Sequence, residues 1–574
     1  MDKTLFERNL LALSQRDSAL CSRLSAARTT LGHYRFLYSR NGEPVPALVD
    51  AAGAAHALHS LVDPRREGER LVEASVSAGG CLVFFGLGGG YYPEAALKRG
   101  DVYKVLVVDF NINGIAELLA SREYIRIFND PRFTLLVDCA GEILERHILE
   151  TWKPALHGGI RVIPLRQRVE QEGELFGQAG DAIKKAIDRL SLDYSVQAHF
   201  GKRWFSNIIR NVFTAEKSVP PLPPVKKALI CAAGPSLDVQ LPRLREYDTK
   251  GKRDCFIISV DTALPVLLKN DLKPDAVVSI DCQHISYYHF MGVSRRGEPG
   301  FPAEGHCLPP DIPLFLDLAG TPLLASLAEN VRFFSGGHPL TRYISLYWRP
   351  FPELDTSGAN VTYAAISLAE YLGAGEIELY GADFSYPLGM SYARGSYLNP
   401  HFAFRQNRLL SLEAQFSAFL YRSALLQKTD AGCSWYYETP VLRGYRKALE
   451  AKAAAVSASI RSAPGLGAPI SLYAGTRRID TARPLRLFSA GKAADSAAAF
   501  LKQYRDDIKA LPALSGKTAG CLAELPEKAS LILTTLLPLA AAIKGRQNDA
   551  SAAEIFEAAR EHCLDELEKL IGRR

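Results

Sequence analysis

A short glycine-containing turn between a buried strand and a helix most constrains how this chain can fold. Residues 228–231 form an apolar run typical of a strand buried on both faces of a parallel sheet. Gly234 and Pro235 end that run, and Ser236 and Asp238 can each cap a following helix. A turn of this kind presents unpaired N–H groups at a helix N-terminus, where an anion such as phosphate binds.

A second turn of the same kind lies further along the chain. Thr356, Ser357 and Gly358 stand before an apolar helical run over 361–372. Each turn on its own is typical of any strand-to-helix connection in an α/β protein. Two of them within one domain favour an anionic ligand, and we expect a nucleotide-linked donor.

The region that holds both turns alternates strand-like and helix-like segments. Six apolar runs have the length and composition of buried strands: 228–231, 256–260, 276–280, 314–316, 332–334 and 377–380. This alternation predicts a doubly wound parallel sheet, in which ligands bind beyond the carboxyl ends of the strands.

A glycine-rich turn near the N-terminus indicates another α/β domain. The apolar run 81–85 leads into Gly86-Leu-Gly-Gly-Gly90, and a second run, 105–108, ends at Asp109. This order is the turn-and-carboxylate pattern that binds dinucleotides or S-adenosylmethionine. The glycines could instead serve only to let a helix pack closely on the sheet. Because no catalytic set follows them, we predict a Rossmann-like accessory domain without chemistry of its own.

The length of the chain, 574 residues, predicts several domains rather than one core. A connector with four prolines between 220 and 224 is the clearest boundary. We expect an α/β protein with an N-terminal Rossmann-like domain over 1–200 and a central domain over 201–480. Its lid at about 400–470 includes a helix over 441–461, and a helical C-terminal domain follows over 481–574.

Composition argues against several classes of function. The net charge of +6 is mild, and no dense stripe of Lys and Arg with interleaved aromatic residues indicates nucleic acid. The ten cysteines are scattered singly, without the spacing of a metal site. The N-terminus lacks a signal-peptide pattern, and the longest apolar run, 531–543, is short for a membrane span. We therefore expect a cytoplasmic protein that binds neither nucleic acid nor membrane.

Carboxylates close two of the predicted strands. Asp261 follows the run 256–260 and Asp281 follows the run 276–280, with His284 just beyond. A carboxylate at this edge can accept ribose or sugar hydroxyls or ligate a divalent metal. An aspartate that only caps a loop is the common alternative. The equivalent positions of these two favour contact with a ligand.

The last predicted strand also leads into polar groups. Asp383 and Tyr386 follow it closely, and Tyr392 comes six residues later. Tyrosine hydroxyls can donate hydrogen bonds to a departing phosphate without adding charge. Packing in the core or the lid is the alternative, above all for Tyr386.

These motifs together resemble the motility-associated factor (Maf) family of flagellin glycosyltransferases. The resemblance covers about residues 200–475 and extends to the three-part layout of the chain. The matching segments are Arg203-Trp-Phe-Ser-Asn207, Cys231-Ala-Ala-Gly-Pro-Ser-Leu-Asp238, Val260-Asp-Thr-Ala-Leu264, Lys273-Pro-Asp275, Ser279-Ile-Asp281, Ser357-Gly-Ala-Asn-Val-Thr362 and Gly381-Ala-Asp-Phe-Ser385.

The same region is similar, more distantly, to bacterial sialyltransferases that use a CMP-activated nonulosonic acid. The shared segments are Ala233-Gly-Pro-Ser236, Thr356-Ser-Gly358, Gly381-Ala-Asp-Phe384 and Met390-Ser-Tyr392. This resemblance implies one set of residues that hold the CMP moiety and another that binds the departing phosphate. The first set is Gly234, Pro235, Ser236, Ser357 and Gly358, and the second is Tyr392 and, less directly, Tyr386.

Two departures from the sialyltransferase pattern affect the chemistry. Where those enzymes carry Asn at two nucleotide-contacting strand ends, this chain has Asp261 and Asp281, so that cytidine recognition differs or a cation intervenes. The general-base histidine of those enzymes also has a spacing that His401 does not match. The sequence does not decide which side chain is the general base, and the alternatives are Asp383, His284 and His401. The candidate catalytic residues are Asp281, Asp383, Tyr392 and His284.

The family resemblance implies inverting transfer of a nonulosonic acid, such as pseudaminic or legionaminic acid, from a CMP donor to Ser or Thr of flagellin, in support of motility. One alternative is a Mg-ATP-dependent enzyme like a pterin pyrophosphokinase, in which Asp261 and Asp281 would hold the metal. The other is a non-catalytic chaperone that binds flagellin. No cofactor is implied apart from the CMP-activated donor, and the sequence leaves undecided whether a divalent metal also binds.

Overall fold

The structure is a computed structural model in which the chain divides into two compact units. The first comprises Met1–Gly201 with Asp507–Cys563, and the second comprises Lys202–Asp506 with Leu564–Arg574. The described residues are 3–27, 32–50, 52–76, 79–217, 219–220, 222–247, 254–290, 293, 308–431, 434–472, 496–512, 525–546 and 550–572.

The strands of the described residues form four sheets. In chain order they are β1 (Arg35–Tyr38), β2 (Pro44–Val49), β3 (Ala55–Ala57), β4 (Gly80–Phe85), β5 (Val102–Asp109), β6 (Phe133–Val137), β7 (Ile160–Pro164), β8 (Lys227–Cys231), β9 (Phe256–Val260), β10 (Ala276–Ser279), β11 (Leu314–Asp317), β12 (Val331–Phe334), β13 (Glu376–Tyr380), β14 (Tyr386–Pro387), β15 (Gln427–Ala431), β16 (Ser434–Glu438) and β17 (Ser459–Ser462).

The helices lie before, between and after these strands. In chain order they are α1 (Lys3–Ser14), α2 (Ser18–Ser25), α3 (Pro64–Ser75), α4 (Tyr91–Leu97), α5 (Ile112–Leu119), α6 (Ile125–Asn129), α7 (Gly141–Thr151), α8 (Pro154–His157), α9 (Arg166–Gln171), α10 (Gly173–Thr214), α11 (Ser236–Glu246), α12 (Leu264–Lys269), α13 (Pro322–Ala325), α14 (Pro339–Tyr347), α15 (Val361–Tyr371), α16 (Leu398–Arg405), α17 (Leu412–Leu420), α18 (Pro440–Ala455), α19 (Ala497–Lys509), α20 (Glu527–Thr535), α21 (Leu537–Lys544) and α22 (Ala552–Gly572). Two 3₁₀ helices, Asp261–Ala263 and His284–Phe290, follow β9 and β10.

The second unit is built on a seven-stranded sheet in the order β12-β11-β10-β9-β8-β13-β17. Every neighbouring pair in it is parallel. The strands β9 to β12 extend the sheet on one side of β8, whereas β13 and β17 extend it on the other. This reversal makes the carboxyl ends of β8 and β13 the switch point at which α/β proteins form a binding crevice. The predicted doubly wound sheet is therefore confirmed.

The first unit contains a four-stranded parallel sheet in the order β6-β5-β4-β7 and a three-stranded antiparallel sheet, β1-β2-β3. Every residue of β4 is buried, and successive side chains enter different cores. Leu82 and Phe84 belong to one apolar cluster, while Val83 and Phe85 belong to another. Two-sided burial of this kind explains the continuous apolar run in the sequence, and the Rossmann-like fold expected here is confirmed.

One predicted helix is shorter than expected. The helix expected over 441–461 is α18, which ends at Ala455 because Val456 has an extended backbone. Residues Ser459–Ser462 then form β17, which pairs in parallel with β13 at the edge of the large sheet. The prediction was wrong here because the alanine- and lysine-rich composition hides a strand of only four residues.

The described part of the C-terminal region is helical, as expected, and consists of α19 to α22. None of the helices in the described ranges is long and apolar enough to cross a membrane. The boundaries between the two compact units fall within α10, within α19 and within α22. The division into three domains along the chain stays a prediction.

Candidate functional site

A cavity of about 540 Å³ lies at the carboxyl edge of the seven-stranded sheet. One wall consists of the segments that follow β8, β9, β10 and β13. The other walls are the beginning of α15, the loop after α17 and the beginning of α18. The cavity therefore occupies the switch point of the sheet, where both the sequence pattern and the topology predict a ligand.

Of the residues singled out in the sequence, some line this cavity and others do not. Those that line it are Gly234, Asp261, Asp281, Asp383, Tyr386 and Tyr392. Those that lie outside its lining are Pro235, Ser236, His284, Ser357 and Gly358.

The expected phosphate-binding turn after β8 is instead bound by a carboxylate of the chain itself. The backbone N–H of Ser236 donates a hydrogen bond to Asp383 Oδ2 at 2.8 Å, and the hydroxyl of Ser236 donates one to Asp383 Oδ1. Ser236 is buried, and its hydroxyl oxygen in turn accepts the N–H of Leu466 at 2.6 Å. A carboxylate at a helix N-terminus satisfies the same N–H groups and dipole that a phosphate would. Ser236 therefore joins the turn to Asp383 rather than facing a ligand.

The need for glycine at position 234 has the same origin. A Cβ at Gly234 would overlap Asp383 Oδ2 and lie 2.5 Å from the carbonyl oxygen of Gly381. The Gly234 N–H donates to that Gly381 carbonyl at 2.9 Å. Gly234 thus allows β8 and β13 to approach each other at the edge of the cavity.

Both oxygens of Asp383 accept hydrogen bonds from Ser236. Burial raises the pKa of the Asp383 carboxyl group, whereas the Ser236 hydroxyl and N–H act to lower it. A carboxylate held by two donors of one residue is poorly placed to take a proton from a substrate. Asp383 is therefore a structural carboxylate in the cavity wall.

The second expected turn contributes different residues from those predicted. The Ser357 N–H donates to Asp355 Oδ1 at 3.0 Å, and the ring of Tyr363 covers Gly358 so closely that a Cβ there would overlap it. The helix α15 is instead capped by Asn360, whose side chain accepts the N–H of Tyr363 at 3.0 Å.

The first turn of α15 offers donors to the cavity. Asn360, Val361 and Thr362 line it. The N–H groups of Val361 and Thr362 have no hydrogen-bond partner within the described ranges of the chain. The anion-receiving helix terminus that the sequence predicted thus lies a few residues later than Ser357 and Gly358.

Asp261 is fully buried at the end of β9 and has defined partners. Its Oδ2 accepts the Ser279 hydroxyl at 2.7 Å, and its Oδ1 accepts the N–H of Thr262 at 2.7 Å. His289 Nδ1 lies 3.2 Å from Asp261 Oδ2, and the imidazole also lines the cavity. Asp261 is therefore the buried member of a carboxylate–histidine pair.

Asp281 and His284, which are neighbours in sequence, separate in the structure. Asp281 lines the cavity, and its Oδ1 accepts the N–H of Gln283 at 2.9 Å. His284 is outside the cavity lining, where its Nδ1 lies 3.2 Å from the Thr321 hydroxyl. The histidine that the fold brings to the cavity is His289, five residues later along the same 3₁₀ helix.

Tyr386, Tyr392 and Arg422 also line the cavity. Burial raises the pKa of Tyr392, whose ring lies 5.9 Å from that of Tyr397. Arg422 lines the cavity with its guanidinium 3.8 Å from the ring centroid of Phe419. Arg422 is exposed and has no ion pair with any carboxylate of the described residues. Its charge is therefore available to an anionic ligand.

Two residues of the cavity wall have a left-handed backbone. Ala359 has φ of +54° and Phe384 has φ of +46°, conformations that side chains other than glycine rarely adopt. Ala359 precedes the first turn of α15, and Phe384 directly follows Asp383. Strain of this kind is common where a binding site fixes the backbone.

His289, Arg422 and Thr362 were not singled out from the sequence. Asn360 directly before the apolar run 361–372 is a recognisable capping signal, and it would have indicated the N–H groups of Val361 and Thr362 rather than Ser357 and Gly358. No comparable signal marks Arg422, which lies in the loop after α17.

The sequence does not decide whether the chain binds a metal ion. Within the described ranges, no group of three or more His, Cys, Asp or Glu side chains is arranged to hold a metal ion. Asp261 and Asp281 both line the cavity, but Asp261 already accepts from Ser279 and Thr262 and pairs with His289.

The glycine-rich turn of the first unit is filled by the side chains of that unit. Arg168 donates to Asp109 Oδ1 at 2.8 Å, and both side chains are buried. A Cβ at Gly86 would lie 2.9 Å from Arg168 Cγ, and the Gly89 N–H donates to His59 Nε2 at 2.9 Å. The Asp109 carboxylate and the Gly89 N–H, which could hold a dinucleotide, thus have internal partners. That this domain is without chemistry of its own stays a prediction.

Comparison with known proteins adds two relatives and a family model. The model of 6-hydroxymethylpterin diphosphokinase MptE-like proteins matches residues 206–389. A protein of Treponema pallidum (strain Nichols), described as uncharacterized, is 33% identical over 157 residues, which are 26% of this chain and 72% of that protein. A second protein of that organism, described in the same way, is 31% identical over 163 residues, which are 28% of this chain and 57% of that protein.

A solved structure is similar over the whole chain. It is the structure of MAf glycosyltransferase from Magnetospirillum magneticum AMB-1, with a TM-score of 0.58 and 15% sequence identity. The similarity covers 100% of this chain and 95% of that one. At this identity the likeness establishes a shared fold, so the resemblance to Maf proteins is confirmed at the level of the fold.

Proposed function

We propose a glycosyltransferase function for this chain, which belongs to the same family as the Treponema pallidum protein that it matches over 72% of that protein's length. The proposed reaction moves a nonulosonic acid, such as pseudaminic or legionaminic acid, from a CMP-activated donor to Ser or Thr of flagellin. The fold shared with the MAf glycosyltransferase supports this class of reaction. We place the reaction in the cytoplasm, as the cysteine usage suggests.

The observation that carries the proposal is the set of anion-binding groups in the cavity. The N–H groups of Val361 and Thr362 stand at the positive end of α15, and Arg422 supplies a full positive charge. N–H groups at a helix N-terminus and an arginine are the usual partners of a phosphate. The donor phosphate would therefore bind between α15 and the loop that carries Arg422.

The chemistry of the donor fits such a site. The anomeric carbon of a nonulosonic acid carries a carboxylate, so positive charge develops readily there as the bond to the CMP oxygen breaks. The site must then stabilise the departing phosphate. Helix N–H groups, Arg422 and the hydroxyl of Tyr392 would do so as negative charge grows on the leaving oxygen. Attack by the acceptor hydroxyl from the opposite side gives inversion in one displacement.

Mass spectrometry of flagellin tests the proposal. Purified chain, unmodified flagellin and a CMP-activated nonulosonic acid are incubated together, and each modified Ser or Thr is located by peptide fragmentation. We expect the mass of flagellin to increase by whole sugar residues with the wild type and not with Asp281→Ala. The control variant is Asp188→Ala, because Asp188 is exposed on α10. Complementation of a deletion strain with the same variants gives the corresponding result in cells.

The family-model match supports a second candidate function. Because the MptE-like model covers residues 206–389, which contain most of the cavity wall, transfer of a diphosphate from ATP to a hydroxymethylpterin is the alternative reaction. It predicts metal-dependent production of AMP from ATP and no use of CMP donors. A non-catalytic flagellin chaperone would instead bind flagellin without modifying it.

These outcomes separate the candidates. Flagellin that gains sugar only with the active chain supports the transferase. AMP production with a pterin acceptor and no sugar transfer would replace the proposal by the diphosphokinase. Binding of flagellin without either reaction would leave the chaperone.

A further inference from the structure

The geometry points to His289 and Asp261 as the proton-transfer pair of this cavity. His289 accepts the proton of the acceptor hydroxyl, and Asp261 orients the imidazole and stabilises its protonated form. This inference rests on the proposed function, since it names the residue that activates the acceptor in that reaction. It replaces His284, Asp383 and His401, which the sequence left open as the base.

Asp261 is held in one orientation. Its side chain is fully buried, and Ser279 and Thr262 donate to its two oxygens, each at 2.7 Å. A buried carboxylate with fixed partners keeps its charge directed at the remaining neighbour. That neighbour is His289, whose Nδ1 lies 3.2 Å from Asp261 Oδ2.

The imidazole of His289 is enclosed but reaches the cavity. Its side chain is 13% exposed, and the ring of Tyr397 packs against it at 4.6 Å between centroids. Nδ1 is buried beside the Asp261 carboxylate and forms no hydrogen bond within the described ranges, so the second ring nitrogen is the one left for a substrate. Nε2 has no hydrogen bond to any residue in the described ranges. A carboxylate 3.2 Å from one ring nitrogen and an open second nitrogen are the elements of a general base, whose hydrogen bonds are often poorly aligned before the substrate binds.

The charges around His289 favour its protonated form. Burial alone would lower the pKa of His289, but the carboxylate of Asp261, with a smaller contribution from Asp281, outweighs burial and raises it. The other titratable group that faces the ring is Tyr397, whose own pKa is raised by burial and by Asp261. The imidazole can therefore hold a proton taken from the acceptor while the displacement is completed.

The other candidate bases have different roles. Both oxygens of Asp383 accept from Ser236. His284 lies outside the cavity lining beside Thr321. His401 is also outside it, with its ring 5.2 Å from that of Tyr288. Among these side chains, His289 alone combines a place in the cavity wall with a carboxylate partner.

The proposed step balances as follows. The acceptor oxygen forms a bond to the anomeric carbon, and its proton moves to His289 Nε2. The bond between the anomeric carbon and the phosphate oxygen breaks, and CMP leaves with that electron pair. The imidazolium then releases its proton to water. No oxidant, reductant or additional reactant takes part.

The test compares His289→Asn, Asp261→Asn and His56→Asn in the full chain. His56 forms an exposed pair with Asp50 at 2.8 Å in the first unit and is the matched histidine–aspartate control. The rate of sugar transfer is measured from pH 5 to 9, and the affinity for CMP is measured by calorimetry. A variant that retains CMP affinity and its circular dichroism spectrum is folded at the cavity.

We expect His289→Asn to lower kcat by about 100-fold or more with CMP affinity unchanged within about twofold. In the wild type, kcat should rise with pH through the raised pKa of His289, because the neutral imidazole is the base. Asp261→Asn removes the charge that raises this pKa, so the rise should move to lower pH while kcat falls. Imidazole added to His289→Gly should restore part of the rate. The control should behave like the wild type.

Three results would overturn the pair. Transfer by His289→Asn at the wild-type rate excludes the histidine as the base. A rate that falls as pH rises through neutrality assigns it to proton donation instead. Loss of CMP affinity together with kcat assigns it to donor binding. Absence of transfer by the wild type itself, from every CMP donor, refutes the proposed function and this step with it.

Discussion

The substitution Gly234→Ala tests whether the turn after β8 is shaped by contact with the chain's own Asp383. The new Cβ would overlap Asp383 Oδ2 and lie 2.5 Å from the Gly381 carbonyl oxygen, whereas ordinary contacts lie at about 3.5 Å. The turn or the segment after β13 must therefore shift by about 1 Å. That shift disturbs the hydrogen bonds of Ser236 to Asp383 and of Gly234 to Gly381.

The expected cost follows from these contacts. Overpacking of a buried site costs about 1–3 kcal/mol, and a weakened hydrogen bond to a charged group costs about 1.5–3 kcal/mol. We expect a total loss of about 3–5 kcal/mol. In a unit of this size that corresponds to a decrease in Tm of roughly 5–10 °C, measured by differential scanning calorimetry.

The control is Gly444→Ala on the exposed face of α18, where an added Cβ meets no atom within 4 Å. Alanine in a helix interior is favoured over glycine by about 0.5–1 kcal/mol, so this variant should be slightly more stable than the wild type. If Gly234→Ala unfolds within about 1 °C of the wild type, the close approach of Asp383 to this turn is refuted.

Three further substitutions test other parts of the structure. Burial raises the pKa of Asp317 to about 6 from its usual 3.8, so between these pH values the folded chain keeps a proton that the unfolded chain has released. As the pH rises from about 4 to about 6, the free energy of unfolding of the wild type relative to Asp317→Asn should therefore fall by about 3 kcal/mol, as measured by denaturation at each pH. Arg168→Ala leaves the buried Asp109 unpaired and should cost about 3–5 kcal/mol, whereas Arg166→Ala, at an exposed ion pair, should unfold at nearly the same denaturant concentration as the wild type. Arg422→Ala should weaken CMP binding by roughly 10-fold in calorimetry, and equal affinity of this variant and of the exposed control Arg408→Ala would remove Arg422 from the anion site.

The strands of the large sheet could be predicted from the sequence because they are buried on both faces. Each predicted run, from 228–231 to 377–380, corresponds to a strand whose ends differ by no more than one residue. Continuous apolar segments that end at Gly or Asp leave little choice of structure. The edge strand β17 has only four residues and two exposed neighbours of Ile460, so it carries no such signal.

The candidate site could be predicted only in part. Asp261 and Asp281 were placed at the cavity because parallel strands end at one edge of the sheet. The role of Ser236 could not be foreseen, since its partner Asp383 is 147 residues away in sequence. Similarly, sequence proximity to Asp281 favoured His284, whereas the 3₁₀ helix directs His289 to Asp261. Contacts between distant segments thus decide which member of a motif faces the ligand.

The most direct test of the account is CMP binding by a chain that lacks one N–H group of α15. Val361→Pro removes the N–H at the first helical position, where proline is tolerated. Asn360 before it has φ of −140° and ψ of 153°, a conformation that a following proline favours. Val361→Ala changes the same side chain and retains the N–H. We predict that Val361→Pro binds CMP about 10-fold or more weakly by calorimetry while Val361→Ala binds it like the wild type. Equal affinity of the two variants would contradict phosphate binding at this helix.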